Sequence, residues 1–199
     1  MSQNQVEGTT QQKQPPRSAV FDVISARRSV REFDGRPIPQ EVLDLLVEAA
    51  RRAPSSCNTQ PWHFTVVTDR EKIAALAKVA PGGIEQRFIS FAAQAAAIIV
   101  VSARPKLLIH RAAGTLERDC HLLDIGAAVE HMVLVAAELG LGSCWIGWLH
   151  QRKVNELIGR PRRNRVAALL ALGYPKEPLL PRDDWDRRRR PREEISSAL

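Results

Sequence analysis

The sequence predicts a single domain of mixed α and β structure, from three observations. Segments with helical periodicity alternate with short runs of strand-favouring residues. The chain of 199 residues can bury one sizeable core, and its 44% hydrophobic and 26% charged content is that of an ordinary globular protein rather than a fibrous or disordered one. No internal repeat points to a solenoid or propeller.

The elements follow in order. Met1 to Pro16 is rich in Gln and Thr and lacks an apolar core flanked by basic residues, so it does not read as a secretory signal. Residues 1–17 are expected as a disordered tail, and 18–199 as the domain. A short helical stretch begins near Val20. From Pro39 to Ala53, Val42, Leu45, Leu46, Ala49, Ala50 and Ala53 recur at three- and four-residue steps, with Glu41, Asp44, Glu48, Arg51 and Arg52 elsewhere on the wheel, which predicts an amphipathic helix. Pro39 suits its first turn, where a missing N–H costs nothing, and Pro54 closes it because the residue before a proline resists the α conformation. His63 to Thr68 has strand-favouring residues, and Asp69 suits the cap of a helix from Glu71 to Val79. Pro81-Gly82-Gly83 breaks the chain. Ala97 to Val101 reads as a buried strand, and Arg165 to Leu172 as another. From Arg104 to Glu117 the pattern dissolves, and a substrate-side excursion is expected there. His121 to Leu139 is apolar almost all the way round, which predicts a helix buried on more than one side, more naturally in a dimer than in one subunit. Gly140 and Gly142 are expected to end it. Ser143 to Trp148 then continues as a strand or extended segment, in which Trp145 and Trp148 would flank an acceptor pocket or, as the apolar strand favours, fill core. No lipid-spanning helix is expected, because the longest low-charge region, Leu122 to Leu149, is interrupted by Asp124, Glu130, His131 and Glu138 and by several glycines.

Charge and cysteine content exclude several classes of function. The net charge of +7 is spread unevenly. Six arginines between Pro181 and Leu199 meet five acids, whereas Gln151 to Arg165 carries Arg152, Lys153, Arg160, Arg162, Arg163 and Arg165 against Glu156 alone, a net of +5. Such a patch attracts phosphates nonspecifically, but no aromatic-interleaved RNA motif, helix-turn-helix or zinc finger accompanies it, and it reads as a solvated basic face. Cys57, Cys120 and Cys144 are odd in number and widely spaced, which fits reduced thiols in a cytoplasm rather than a disulfide framework. With His121 and His131 they match no common zinc spacing, so no metal is expected. Cys57 reads as a small packed thiol. The chain has no Gly-x-Gly-x-x-Gly or Walker loop, hence no dinucleotide-binding Rossmann domain.

Two segments carry candidate chemistry. Arg27, Arg28, Ser29 and Arg31 place three permanently charged planar donors and a hydroxyl within five residues, suited to a phosphate or the anionic edge of a heterocycle, or simply to a charged surface. Pro54 to Pro61 is a loop of small and amide residues that offers hydroxyls, amides and backbone N–H groups without bulk; it would line a flat ring, or merely cap its own backbone.

Taken together, Arg27-Arg28-Ser29-Val30-Arg31, the run Ala53 to Trp62, Gly140 to Gly147, and Leu172-Gly173-Tyr174-Pro175 resemble the FMN-dependent nitroreductase family, over about Val20 to Ile195. The resemblance implies an α+β fold, an α-β-α sandwich with a mainly antiparallel central sheet flanked by helices, intertwined as a homodimer, with a C-terminal extension from about residue 176 reaching over the partner. It implies one FMN-binding domain, with NADH or NADPH as reductant and an electron-poor acceptor such as a nitroaromatic or quinone, by ping-pong transfer through flavin N5. Arg27, Arg28 and Ser29 match positions that hold the phosphate and ribityl end, and Arg31 the cation that stabilises charge near N1 and O2. Pro54, Ser55, Ser56 and Asn58 match the segment contributed by the second subunit. Ile146 and Gly147 match the backbone presented to the flavin ring, and Arg187 and Arg189 two phosphate-binding cations before a proline. No side-chain general acid is implied. A further contact around Gln86 to Ser90 has no residue assigned. Reductive dehalogenation or enone reduction on the same scaffold is an alternative within the class, and a non-catalytic flavin- or nucleic-acid-binding protein one outside it.

Overall fold

A computed structural model of the chain describes residues 18–79, 87–104, 120–179 and 189–197. The expected tail, most of the 104–117 excursion and Arg187 lie outside these residues. Helix α1 spans Ala19–Ala26, α2 Gln40–Arg51, α3 Arg70–Leu76, α4 Cys120–Glu138 and α5 Gln151–Leu157. Strands β1 (Trp62–Val67), β2 (Ala97–Ala103), β3 (Gly142–Ile146) and β4 (Arg165–Gly173) form one antiparallel sheet in the order β1-β2-β4-β3. The α+β class and the antiparallel sheet agree with the sequence reading.

Period-two alternation in the strands divides the core into two layers. Ile99, Val101 and Ala103 of β2 with Leu170 and Leu172 of β4 face α2 and α4, where they meet Leu43, Leu46, Val129, Met132 and Val133. Ile98 and Val100 with Leu169 and Ala171 face the other way, against Ile73 and Leu76 of α3 and Val154 of α5. Both central strands are therefore apolar on both faces except for Ser102 of β2 and Arg165 at the start of β4, as a sheet covered on both faces requires. A register shift between Val101 and Ser102 bends the far end of β2.

The helices show where the sequence reading needs correction. Pro39 is the N-cap of α2 rather than a residue of its first turn; its carbonyl accepts from the amides of Val42 and Leu43 at 3.1 and 3.2 Å. The buried stripe of α2 runs through Leu43, Leu46 and Ala50, while Leu45 remains 47% exposed, so the stripe is rotated from the predicted one. Asp69 caps α3 as expected, accepting from the amide of Lys72 at 2.8 Å. Gly140, at φ +74, ends α4 as expected. Gly142 instead opens β3, where a Cβ would sit 2.7 Å from the Val30 side chain. Helix α5 falls within the stretch read only as a basic patch. The second apolar side of α4 is uncovered in one chain, with Leu122 and Leu123 exposed, and α1 carries Val20, Phe21 and Ile24 exposed and no buried residue. Among the described residues no helix is long and apolar enough to cross a membrane.

Candidate functional site

The segment from Arg28 to Asp34 is laid along one edge of the sheet by backbone pairing rather than by a helix or strand of its own. Ser29 bridges Ser143 in parallel, the Val30 amide donates to the Ser143 carbonyl at 2.9 Å, and the Asp34 amide donates to the Tyr174 carbonyl at 2.9 Å. Val30 and Phe33 point inward and are buried. Their close approach needs glycine opposite: a Cβ on Gly173 would stand 2.8 Å from the Phe33 ring, as one on Gly142 would overlap Val30. The alternation that buries Val30 and Phe33 leaves Ser29, Arg31 and Glu32 exposed. They line a polar cleft of about 190 Å3 with Arg28 and with Lys176 and Glu177.

Arg31 also lines a second, aromatic cleft of about 320 Å3, together with Phe88, Phe91, Ile146, Gly147 and Trp148. Its guanidinium lies 5.9 Å from the Phe91 ring centroid. Phe88 and Trp148 meet edge to face at 6.1 Å, and both are exposed. A Cβ on Gly147 would meet nothing within 4 Å, so the backbone there faces open space. Trp145 and Trp148, expected as core, are 42% and 61% exposed. Cys144 lies beneath this cleft, where burial pushes its thiol up from the ordinary range against the opposing charge of Arg31. It remains a neutral thiol at pH 7.

The three guanidiniums of the first motif have different fates. Arg28, with a side chain 14% exposed, donates to the carbonyls of Glu177 and Pro178 at 3.3 and 3.1 Å. Arg27 lies 3.9 Å from Glu130 of α4. Arg31 has no acid partner among the described residues and keeps its charge for whatever enters the two clefts that it joins.

The Pro54 to Gln60 loop is built differently. A short 3-10 turn covers Ser56–Asn58, and Cys57, Asn58 and Gln60 all have positive φ, at 50°, 52° and 47°. For side chains other than glycine such conformations cost about 1–2 kcal/mol each, so the surroundings must hold them. Asp124 of α4, buried at 8% exposure, accepts from the Ser56 amide at 3.1 Å and the Ser56 hydroxyl at 3.3 Å. Ser55 adds two bonds: its hydroxyl accepts from the Gln60 amide at 3.0 Å and its carbonyl from the Asn58 amide at 2.9 Å. Cys57, expected as a packed thiol, is exposed, because the left-handed turn throws it outward.

The structure thus brings Arg28, Ser29, Arg31, Ile146 and Gly147 to two adjoining clefts. None of Pro54, Ser55, Ser56 or Asn58 lines either of them. Arg189 is exposed and lines neither. Sequence reasoning missed Phe88 and Phe91 as lining residues, although the Gln86 to Ser90 stretch pointed to one of them. It also missed Asp124, whose trace in the sequence was the first of three acids interrupting an apolar helix. Among the described residues no group of His, Cys, Asp and Glu is placed to hold a metal ion.

Known proteins share this fold and much of this sequence. The model of the nitroreductase family matches residues 24–174. A putative NADH dehydrogenase/NAD(P)H nitroreductase of Archaeoglobus fulgidus is 36% identical over 159 residues, 78% of this chain and 84% of that protein. The solved FMN-dependent nitroreductase of Clostridium difficile superposes with a TM-score of 0.68 at 28% identity, covering 83% of this chain and 93% of the other. Iodotyrosine deiodinase 1 of Pongo abelii is 25% identical over 199 residues, 88% of this chain and 66% of that protein.

Proposed function

Because this chain belongs to the nitroreductase family, we propose that it is an NAD(P)H-dependent FMN oxidoreductase that works as a homodimer in the cytoplasm. The observation that carries the reading is Arg31, a cation without an acid partner among the described residues, at the junction of a polar cleft and an aromatic one. The donor set fits FMN: a guanidinium and a hydroxyl on the polar side, aromatic faces and open backbone at Gly147 on the other. When bound, FMN supplies a carrier that takes hydride from NADH or NADPH at N5 and passes it to an electron-poor acceptor such as a nitroaromatic or quinone, by ping-pong kinetics.

The chain's own residues then divide the work. Arg31 offers permanent charge to the ring edge that becomes anionic. Arg27, Arg28 and Ser29, with Arg187 and Arg189, serve the phosphate end, and Ile146 and Gly147 present backbone to the ring. Pro54, Ser55, Ser56 and Asn58 serve the FMN bound mainly by the other subunit, which accounts for their distance from the clefts of their own chain. The exposed apolar residues Val20, Phe21 and Ile24 of α1 and Leu122 and Leu123 of α4 would supply surface for that dimer. Among the described residues the aromatic cleft is lined by no His, Asp or Glu.

The similarity to iodotyrosine deiodinase 1 favours reductive dehalogenation as the second reading. Purified protein should carry flavin absorption bands and release FMN, and should oxidise NADH or NADPH against a panel of nitroaromatics, quinones, enones and halophenols. A colourless protein that FMN does not bind sinks the proposal. Turnover confined to halophenols replaces the first reading by the second. Arg31→Ala should lower the rate of flavin reduction by about 100-fold, the scale for one lost charge-stabilising donor, while FMN affinity changes much less.

A further inference from the structure

We propose that the end of the sheet at His63, Arg104 and Arg160 is a binding site for a small diphosphate-type anion, separate from the Arg31 clefts. The two places lie on opposite edges of the sheet, His63 on β1 and the Arg31 clefts along β3, with β2 and β4 between. The inference does not rest on the proposed flavin chemistry.

Three separate pieces of chain bring the cations together. His63 stands second in β1, paired with Ser102 of β2. Arg104 leaves the end of β2, and its amide donates to the carbonyl of Pro61, two residues before His63, at 2.6 Å. Arg160 arrives on the turn between α5 and β4, where Gly159, at φ +64, ends the helix and the Arg160 amide donates to the Asn155 carbonyl at 2.8 Å. That turn is pinned to the sheet. Asn155, fully buried, donates to the Asn164 carbonyl at 2.8 Å, and the Asn164 amide group donates to Asn155 Oδ1 at 2.9 Å and to the Ser102 hydroxyl at 3.0 Å. A buried amide network so fully paired fixes the turn, and with it the guanidinium that the turn carries.

The Arg160 guanidinium meets His63 Nε2 at 2.6 Å. A guanidinium only donates, so Nε2 is the acceptor and the ring proton is on Nδ1. A cation held against a neutral imidazole, rather than against a carboxylate, is an arrangement that leaves charge to spare. Desolvation, then the charges of Arg104 and Arg160, push the His63 pKa below the ordinary histidine value. Among the described residues, the elements around the ring bring Arg104 after β2, Arg160 after α5 and Arg165 at the start of β4, with the uncharged Ser102 and Asn164. Among the described residues no acid pairs with Arg104 or Arg160. The nearest acid in sequence, Glu156, is engaged by Arg152 at 3.1 Å and by Arg162 at 3.8 Å.

An anion completes this cluster. Its oxygens accept from Arg104 and from Arg160, which turns away from Nε2; the freed nitrogen takes one proton from solvent, and the imidazolium becomes a third donor. Three positive charges in one place match a diphosphate better than a monovalent anion. Binding is therefore coupled to uptake of one proton and strengthens as the pH falls. Two sources share this chemistry, a free diphosphate and the diphosphate of a nucleotide.

The test follows the His63 ring of the full chain by NMR between pH 5.5 and 8, alone and with inorganic pyrophosphate or ADP. The free ring should titrate below the ordinary histidine value, and saturating ligand should move it upward. Equal binding of the two assigns the diphosphate group alone; tighter binding of ADP assigns a nucleotide. Arg160→Gln and Arg104→Gln, on different elements, should each weaken binding about tenfold or more, the scale for one charge-assisted hydrogen bond. Lys153→Gln, in the same basic stretch but on the exposed face of α5, should weaken it less than twofold. The proposal is overturned if neither ligand moves His63 at millimolar concentration, or if Lys153→Gln weakens binding as much as Arg160→Gln does.

Discussion

The two candidate segments of this chain are held by opposite means. Arg28 to Asp34 has no positive φ and is docked on the sheet by backbone bonds and by two inward side chains seated against glycines. Pro54 to Gln60 has three residues in the left-handed region and is propped from below by one buried carboxylate. The first segment is stabilised by what it touches, and the second is strained by a shape that its own chain's clefts do not use. Strain is tolerated where geometry serves a function. The contrast is the one the proposed dimer predicts, with one half of the site laid on the sheet and the other held out for a second copy of the chain.

The most damaging way to break that comparison is to fill the glycine opposite Val30. Gly142→Ala places a Cβ 2.7 Å from both Cβ and Cγ2 of a β-branched, buried side chain that has no room to retreat. Overpacking of this kind costs about 1–3 kcal/mol. Urea unfolding should show a loss in that range, with faster hydrogen exchange at the Val30 amide. A loss below about 0.5 kcal/mol, within the scatter of ordinary surface changes, would mean that the docked segment yields as readily as the loop, and the contrast would disappear.

Removing the prop is the second test. Asp124→Ala deletes the acceptor of two Ser56 bonds, a loss of about 1.5–3 kcal/mol per bond to a charged group before relief is counted. Relief is real here, because Asp124 Oδ2 is buried without a partner, and burying such an atom is itself costly. The expected net cost is about 1–2 kcal/mol, concentrated in exchange of the Ser56 to Gln60 amides rather than in β2 or β4. Asp124→Asn keeps Oδ1 as acceptor and should cost less in the loop. If Asp124→Ala loosens β2 and the loop equally, the carboxylate is part of the core and not a prop.

The same contrast marks what sequence can carry. Helices and strands were legible because burial imposes periods of 3.6 and 2.0 on residue type, and α2, α4, β2 and β4 were located within a few residues. The face of α2 was less legible, since Leu43 and Leu45 are the same residue and only packing chooses between them. Helix α5 was read as charge because seven residues, three of them Arg152, Lys153 and Glu156, contain too little apolar pattern to announce a helix. Trp145 and Trp148 were misplaced because residue type argues for burial, whereas a binding cleft or an interface between subunits needs exposed aromatics. Arg31 was legible as a cation, but not as the one cation of its motif without an acid partner among the described residues, since Glu130 and Glu177 reach Arg27 and Arg28 only through tertiary contact. Asp124 stands 68 residues from Ser56, and no local pattern joins them.

The smallest effect separates strain from structure inside the loop. Cys57→Gly removes a Cβ from a residue at φ 50, gaining about 1–2 kcal/mol of relieved strain and losing about 0.5–1 kcal/mol to the greater freedom of glycine in the unfolded chain. The net gain should be about 0.8 kcal/mol, the difference between the middles of those ranges, a rise of a few degrees in Tm. Asn58→Gly at φ 52 should not stabilise, because asparagine enters the left-handed region more readily and its Oδ1 accepts from the Gln60 amide group at 3.2 Å. Thermal unfolding of the two variants side by side reads the difference. Stabilisation by Cys57→Gly alone locates the strain at the exposed thiol. Stabilisation by both spreads it along the turn, whereas a neutral or destabilising Cys57→Gly leaves the loop unstrained and the contrast with Arg28 to Asp34 one of exposure only.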